Sequence, residues 1–182
     1  MEMGRQLEHG EHQYPQGVLP LCLLLDNLTS PANVGSLFRL ADAFAVQKIY
    51  LTGKTPAPPN RKLSKAARST EKVVAYEHEV DAISQLQRLK AAGYTLICLE
   101  ITTHSRVLKQ VSYPEYAPVC LIAGAERQGI QPEILALSDE TVHIPMLGKN
   151  SSMNVANAAA IALFEITTQL QGNGSILPGP AL

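Results

Sequence analysis

The chain has 182 residues, of which 46% are hydrophobic, and its formal net charge at pH 7 is −1. This length suits one domain with a sizeable core. Every apolar run is shorter than the ~20 residues of a membrane helix, and the polar N-terminus lacks the apolar run of a secretory signal, so we expect no membrane contact. A nearly neutral composition by itself gives no sign of a nucleic-acid partner.

Strand-length apolar runs alternate with helical patterns along the chain. We predict strands at residues 18–26, 47–52, 73–76, 94–100, 119–123 and 141–144. Between them, helices are predicted at residues 33–44, 62–68, 80–92, 132–137 and 152–170. This alternation predicts an α/β fold with a mainly parallel sheet and helices on both faces.

Residues 18–170 are predicted to form this single domain, flanked by flexible tails at 1–17 and 171–182, which have little apolar content. Cys22, Cys98 and Cys120 are odd in number, share no CxxC spacing and lie in apolar runs. These positions favour buried thiols over a disulfide or a zinc site, and they indicate a reducing cytoplasm.

Three loops are candidate sites, because ligands of open α/β sheets bind outside the carboxyl ends of the strands. The loop at 123–130 contains Gly124 and Gly129 but lacks the Lys-Ser/Thr of a P-loop and the Gly-x-Gly-x-x-Gly of a dinucleotide site. The glycines either form a tight turn or admit a ligand. Glu126, between them, would accept backbone hydrogen bonds or contact that ligand.

The loop at 144–154 ends in Ser151, Ser152 and Asn154, just before an alanine-rich helix. We expect a serine hydroxyl to cap this helix, and an anionic ligand at the helix N-terminus is the alternative. The alanines reflect either helix propensity or a close helix interface.

The loop and helix at 26–39 place Arg39 about a turn and a half beyond Asn33. A helical arginine is most often solvated or ion-paired, and a catalytic role is the alternative. Seven of the fifteen basic residues lie between Lys48 and Lys72. Such a charge run usually solvates a surface, and phosphate contact is its alternative.

Taken together, the three segments DNLTSPANVGSLFR (26–39), AGAERQGI (123–130) and IPMLGKNSSMN (144–154) resemble the three motifs of the SpoU (TrmH-like) branch of SPOUT RNA methyltransferases. The resemblance covers about residues 20 to 168. It implies a C-terminal trefoil knot, a homodimer, and S-adenosylmethionine as the methyl donor, with no metal. The implied reaction is methylation of a ribose 2′-hydroxyl in tRNA or rRNA.

Position by position, the resemblance assigns Gly124, Ile144 and Met153 to the cofactor. It assigns the motif polar residues to catalysis, namely Asn33, Arg39, Glu126, Ser152 and Asn154. In its light we favour phosphate contact for the basic cluster, with Arg61, Lys62, Lys65 and Arg68 as RNA-binding residues.

The role of Arg39 stays open at this point. A free guanidinium remains protonated, so Arg39 is either an unusually perturbed general base or a cation that positions phosphate and stabilises oxyanion charge. His78, His104 and His143 form no recognisable metal-ligand set. The alternatives to ribose methylation are a base-methylating SPOUT enzyme and a noncatalytic RNA-binding protein of the same fold.

Overall fold

The computed structural model describes residues 17–79, 81–116 and 118–172, together with Arg5, Glu8 and Glu11. The strands are β1 Leu19–Asp26, β2 Val46–Thr52, β3 Tyr76–Glu79, β4 Thr95–Leu99, β5 Arg106–Val107, β6 Val119–Ala123 and β7 Glu140–His143. The helices are α1 Pro31–Ala43, α2 Arg61–Ala67, α3 Ala82–Ala91, α4 Pro132–Leu137 and α5 Val155–Gly172.

Within the described residues, all seven strands belong to one parallel sheet, in the order β3-β2-β1-β6-β4-β7-β5. The predicted parallel sheet is therefore confirmed. β6 lies between β1 and β4, and β7 lies between β4 and β5. Two strands that come late in the chain therefore lie between strands that come earlier. Protein chains generally avoid passing through their own loops, and that rule would favour placing the later strands at the edges of the sheet.

Helices cover both faces of the sheet, as predicted, because each inner strand is apolar on both sides. Leu23 of β1 packs with Phe38 of α1 and Ile166 of α5 on one face. Its neighbour Leu24 packs with Leu86 of α3 and Ile134 of α4 on the other face. The three cysteines are buried free thiols, which confirms the sequence-based interpretation.

The predicted bounds of the third strand, residues 73–76, are wrong. Residues Thr70–Lys72 form a 3₁₀ turn, Val73 is 72% exposed, and the strand begins only at Tyr76. β3 is an edge strand with Glu77 and His78 exposed, so its sequence lacks the apolar run of an inner strand. The two-residue edge strand β5 was not predicted for the same reason.

The start of α5 also differs from the prediction. The helix begins at Val155, and its cap is Asn154 instead of a serine hydroxyl. Asn154 Oδ1 accepts hydrogen bonds from the backbone N–H groups of Ala156 at 2.9 Å and Asn157 at 3.3 Å. Residues 144–154 therefore stay in the loop, free to line a site.

The helix α5 continues to Gly172, so the first two residues of the predicted C-terminal tail are helical. The rest of that tail, and most of the tail predicted at 1–17, lie outside the described residues, and both tails stay predictions. No helix within the described ranges is long and apolar enough to cross a membrane.

Candidate active site

The loops that follow β4, β6 and β7 enclose a cavity of about 750 Å³, which we call the main cavity. Because the strands are parallel and adjacent, their carboxyl ends meet at one edge of the sheet. Gly124, Ile144 and Met153, the three predicted cofactor residues, all line this cavity. The structure thus brings together positions that are up to 29 residues apart in the sequence.

The loop after β6, residues 124–129, forms one wall of the main cavity, and we call it the glycine loop. Ala125 and Gly129 exchange backbone hydrogen bonds of 3.1 and 2.8 Å, and Gly129 has a positive φ of 69°. A Cβ on Gly124 would lie 2.4 Å from the Gly129 carbonyl oxygen, so glycine is required there. The exposed residues Arg127 and Gln128 form the tip of this turn.

Glu126 joins this loop to the loop after β1. Its Oε2 accepts hydrogen bonds from the Thr29 backbone N–H at 3.0 Å and the Thr29 hydroxyl at 3.1 Å. Its Oε1 accepts from the Ser30 backbone N–H at 3.2 Å and from Asn33 Nδ2 at 2.9 Å. Burial raises the pKa of Glu126, but the hydrogen bonds from Thr29, Asn33 and Ser30 outweigh it and lower this pKa to about 2.

Asn33 carries the connection on to the third motif. While its Nδ2 donates to Glu126, its Oδ1 accepts a hydrogen bond of 3.0 Å from Asn154 Nδ2. Asn154 in turn caps α5 through its own Oδ1. A continuous hydrogen-bonded chain of three predicted site residues therefore links the glycine loop, α1 and α5. In this arrangement Asn33, Glu126 and Asn154 position the loops.

Arg39 lies beside these hydrogen-bonded residues, in a groove of about 620 Å³ between α1 and α5, which we call the helix groove. Its side chain is exposed and makes no hydrogen bond or ion pair with any residue in the described ranges. Asn154 lines both the helix groove and the main cavity. The helix groove that contains Arg39 thus shares a lining residue, Asn154, with the main cavity.

Ser152 lines the main cavity and is exposed. Its hydroxyl has no hydrogen-bond partner in the part of the chain that the structure describes. The sequence had suggested that a serine hydroxyl caps α5, but Asn154 is the cap. The Ser152 hydroxyl is therefore free to contact a ligand.

Glu100, which follows β4, was not among the predicted site residues. Glu100 Oε2 accepts from the Ile130 backbone N–H at 3.0 Å, and Oε1 accepts from that of Ile101 at 2.9 Å. A Cβ on Gly129 would lie 2.5 Å from Glu100 Oε2. Glu100 therefore anchors the end of the glycine loop at Ile130, whereas Glu126 bonds this loop to the loop after β1. An acid directly after an apolar strand was the signal that could have revealed it.

The four predicted RNA-binding residues are all exposed: Arg61, Lys62 and Lys65 lie on α2, and Arg68 caps the C-terminus of that helix. None of them forms an ion pair with a described residue. Lys48, at the start of the basic run, pairs instead with Glu77. Gly35 fixes α2 against α1, since a Cβ there would lie 2.3 Å from the Leu63 carbonyl oxygen.

The main cavity fits a nucleoside-sized ligand. Its volume lies within the roughly 300–1,000 Å³ of small-molecule sites. Leu99, Ile130, Ile144 and Met153 supply apolar walls, and the residues of the glycine loop line the cavity beside them.

Comparison with known proteins identifies the family to which the chain belongs. Residues 20–164 match the SpoU rRNA Methylase family. The chain is 32% identical over 149 residues to the tRNA (guanosine(18)-2′-O)-methyltransferase of Thermus thermophilus, covering 82% of this chain and 75% of that enzyme.

Two solved structures share the fold. The TrmH/SpoU tRNA-modifying enzyme of A. aeolicus superimposes with a TM-score of 0.79 at 26% identity, over 88% of this chain and 80% of that one. An AdoMet-bound rRNA methyltransferase from Sinorhizobium meliloti gives 0.78 at 26% identity, over 87% and 59%. These neighbours confirm the SPOUT fold class that the motifs implied. The chain is a member of the SpoU rRNA methylase family.

Proposed function

We propose that this protein transfers the methyl group of S-adenosylmethionine to a ribose 2′-hydroxyl of tRNA or rRNA. One observation carries the proposal: Asn154 lines both the main cavity, which fits the donor, and the helix groove, which contains Arg39. A donor site and an unengaged cation thus adjoin each other. The Thermus relative, named as a 2′-O-methyltransferase, and the AdoMet-bound neighbour support the same reaction.

In this proposal Gly124, Ile144 and Met153 hold the donor, which supplies an electrophilic methyl carbon when bound. The glycine loop must keep its shape for this, and Glu126, Asn33 and Asn154 hold it in place through their hydrogen bonds. The free hydroxyl of Ser152 contacts the reacting groups. Alignment of the reactants contributes several kcal/mol of barrier reduction.

Arg39 acts as a cation in this proposal. Because a guanidinium normally stays protonated, it positions the RNA phosphate and stabilises charge that develops on the ribose oxygen. Its exposed side chain in the helix groove is accessible to a polynucleotide. The exposed basic residues of α2, which is packed against α1, extend this cationic surface.

We further propose that the protein works as a homodimer through α5. Ile161 and Phe164 are 44% and 62% exposed on one face of that helix. Asn157 and Ala160, one turn earlier, line the helix groove. Burial of the apolar pair against a second copy would close the groove and complete an RNA site around Arg39.

The three free thiols suit action in the cytoplasm.

Bulk RNA incubated with the protein and methyl-labelled S-adenosylmethionine, then digested to nucleosides, tests the reaction. We expect the label in a 2′-O-methylated nucleoside. Label on a base would replace the proposal with base methylation, and RNA binding without any transfer would indicate a noncatalytic binding protein.

A further inference from the structure

Ser105 and His143 form a hydrogen-bonded pair at the wall of the main cavity. The distance from Ser105 Oγ to His143 Nδ1 is 2.9 Å. His143, the last residue of β7, lines the cavity, and Ser105 directly precedes β5. Neither residue belongs to the segments that carry the family motifs, so the family assignment leaves their role open.

The hydrogen bonds of Ser105 indicate which imidazole nitrogen carries the proton. Ser105 Oγ accepts from the Thr102 backbone N–H at 3.0 Å and donates to the Thr102 carbonyl at 2.9 Å. A hydroxyl has one hydrogen to donate and two lone pairs that accept. With its hydrogen committed to Thr102, Ser105 can only accept from His143, so Nδ1 is the protonated nitrogen.

The opposite arrangement would satisfy fewer groups. If Ser105 donated to His143, the Thr102 carbonyl would keep only the longer 3.4 Å bond from the Ser105 backbone N–H. Unsatisfied polar groups cost more free energy than satisfied ones. The turn at residues 102–105 therefore selects the Nδ1–H form of the imidazole.

This form leaves Nε2 of His143 as an acceptor without a hydrogen-bond partner among the described residues. The two carboxylates that line the cavity are already engaged: Glu100 by the loop backbone and Glu126 by the loop after β1. His143 is thus an available acceptor in a cavity that fits a nucleoside. The adenosyl portion of the methyl donor carries complementary donors, its exocyclic amine and its ribose hydroxyls.

We infer that His143, oriented by Ser105, binds the adenosyl portion of the methyl donor by accepting a hydrogen bond at Nε2. The inference rests on the proposed function. His143 is therefore a residue that binds the methyl donor, and Ser105 is a positioning residue that acts through His143.

Titration calorimetry with S-adenosylhomocysteine, the demethylated donor, tests the inference without requiring turnover. His143→Phe should lower the affinity about tenfold, the factor that corresponds to a hydrogen bond of roughly 1.4 kcal/mol. His143→Gln, which can place an amide oxygen near the position of Nε2, should retain more affinity than His143→Phe. Ser105→Ala should cause a smaller loss, since it frees the imidazole to rotate and change tautomer.

His104→Phe is the matched control, because His104 is exposed in the same turn and does not line the cavity. Its affinity should equal that of the wild type. Three analogues of S-adenosylhomocysteine identify the group that bonds to His143: a purine riboside that lacks the exocyclic amine, a 2′-deoxy analogue and a 3′-deoxy analogue. The analogue that lacks the bonded group should bind wild type and His143→Phe equally.

Imidazole ¹⁵N NMR of the wild type provides a readout that does not depend on how a variant folds. His143 should show a protonated Nδ1 and an unprotonated Nε2, whose signal moves to lower frequency when S-adenosylhomocysteine saturates the protein. Equal affinities of wild type and folded His143→Phe, or an Nε2 signal unmoved by saturation, would overturn the inference. A wild type that binds no S-adenosylhomocysteine would instead overturn the proposed function.

Discussion

Asn33 and Glu126 are 93 residues apart in the chain, yet Asn33 Nδ2 donates to Glu126 Oε1 across 2.9 Å. The same asparagine accepts from Asn154 through its Oδ1. One side chain amide thus uses its donor toward the second motif and its acceptor toward the third. Because an amide cannot be replaced there by a group with only one of these functions, both connections depend on asparagine.

Stability should depend on pH through Glu126. Hydrogen bonds hold its pKa at about 2 in the folded protein, below its ordinary value of 4.5. A carboxyl whose pKa is lowered by folding stabilises the folded state above the ordinary pKa, and this contribution disappears as the pH falls through about 2. Glu126→Gln should therefore cost roughly 1 kcal/mol in urea unfolding at pH 7. The difference from wild type should shrink between about pH 5 and pH 2; a difference independent of pH would contradict this assignment.

Arg39→Ala should abolish most methyl transfer while leaving the affinity for S-adenosylhomocysteine and the melting temperature largely unchanged. Arg39 is exposed and unbonded within the described structure, so its removal costs little stability. Its interaction should matter chiefly in the transition state, which predicts a fall in kcat of about 100-fold or more. Single-turnover rates with saturating RNA and donor measure this effect.

Arg39→Lys distinguishes positive charge from guanidinium geometry. Substantial remaining activity would support simple charge stabilisation, whereas a loss as deep as that of Arg39→Ala would require the planar, bidentate guanidinium. Wild-type turnover by Arg39→Ala with both substrates saturating would remove Arg39 from the catalytic site.

Replacing Arg61, Lys62, Lys65 and Arg68 with alanine should weaken RNA binding and reduce its salt dependence. Each phosphate contact contributes about 0.7 to 0.9 to the slope of log K against log salt, so loss of four contacts should reduce that slope by about 3. Fluorescence anisotropy with labelled RNA at several salt concentrations measures it. Lys48→Ala and Lys90→Ala are controls, since ion pairs with Glu77 and Asp139 already engage these lysines. An unchanged slope would return α2 to a solvating role.

Phe164→Glu should convert the proposed dimer to a monomer, because it introduces a charge on the exposed apolar face of α5. Analytical ultracentrifugation measures the mass in solution. Val73→Glu is the matched control: Val73 is another exposed apolar residue, 72% accessible and remote in sequence from α5. A wild type that sediments as a monomer at micromolar concentration would refute dimerisation. Equal effects of both substitutions would refute the role of this face.

The sequence by itself determined the inner part of the fold. The apolar runs of β1, β2, β4 and β6 are buried on both faces of the sheet, and burial on both sides leaves an unbroken apolar signal. Edge strands have one neighbour and tolerate charge, so β3 was displaced in the prediction and β5 was missed. The motif residues, spread from Asn33 to Asn154, were assigned from the resemblance of their three segments to the SpoU motifs.

Only the tertiary structure decided which contacts each of those residues makes. Glu126, Asn33 and Asn154 bond to one another, while Arg39 and Ser152 remain unbonded within the described residues. These pairings depend on the insertion of β6 and β7 between earlier strands, which brings distant loops to one edge of the sheet. Glu100 and His143 belong to no motif and acquire their roles from neighbours that are distant in sequence. Local sequence carries propensity and burial, whereas a hydrogen bond between loops depends on distances that only the assembled sheet sets.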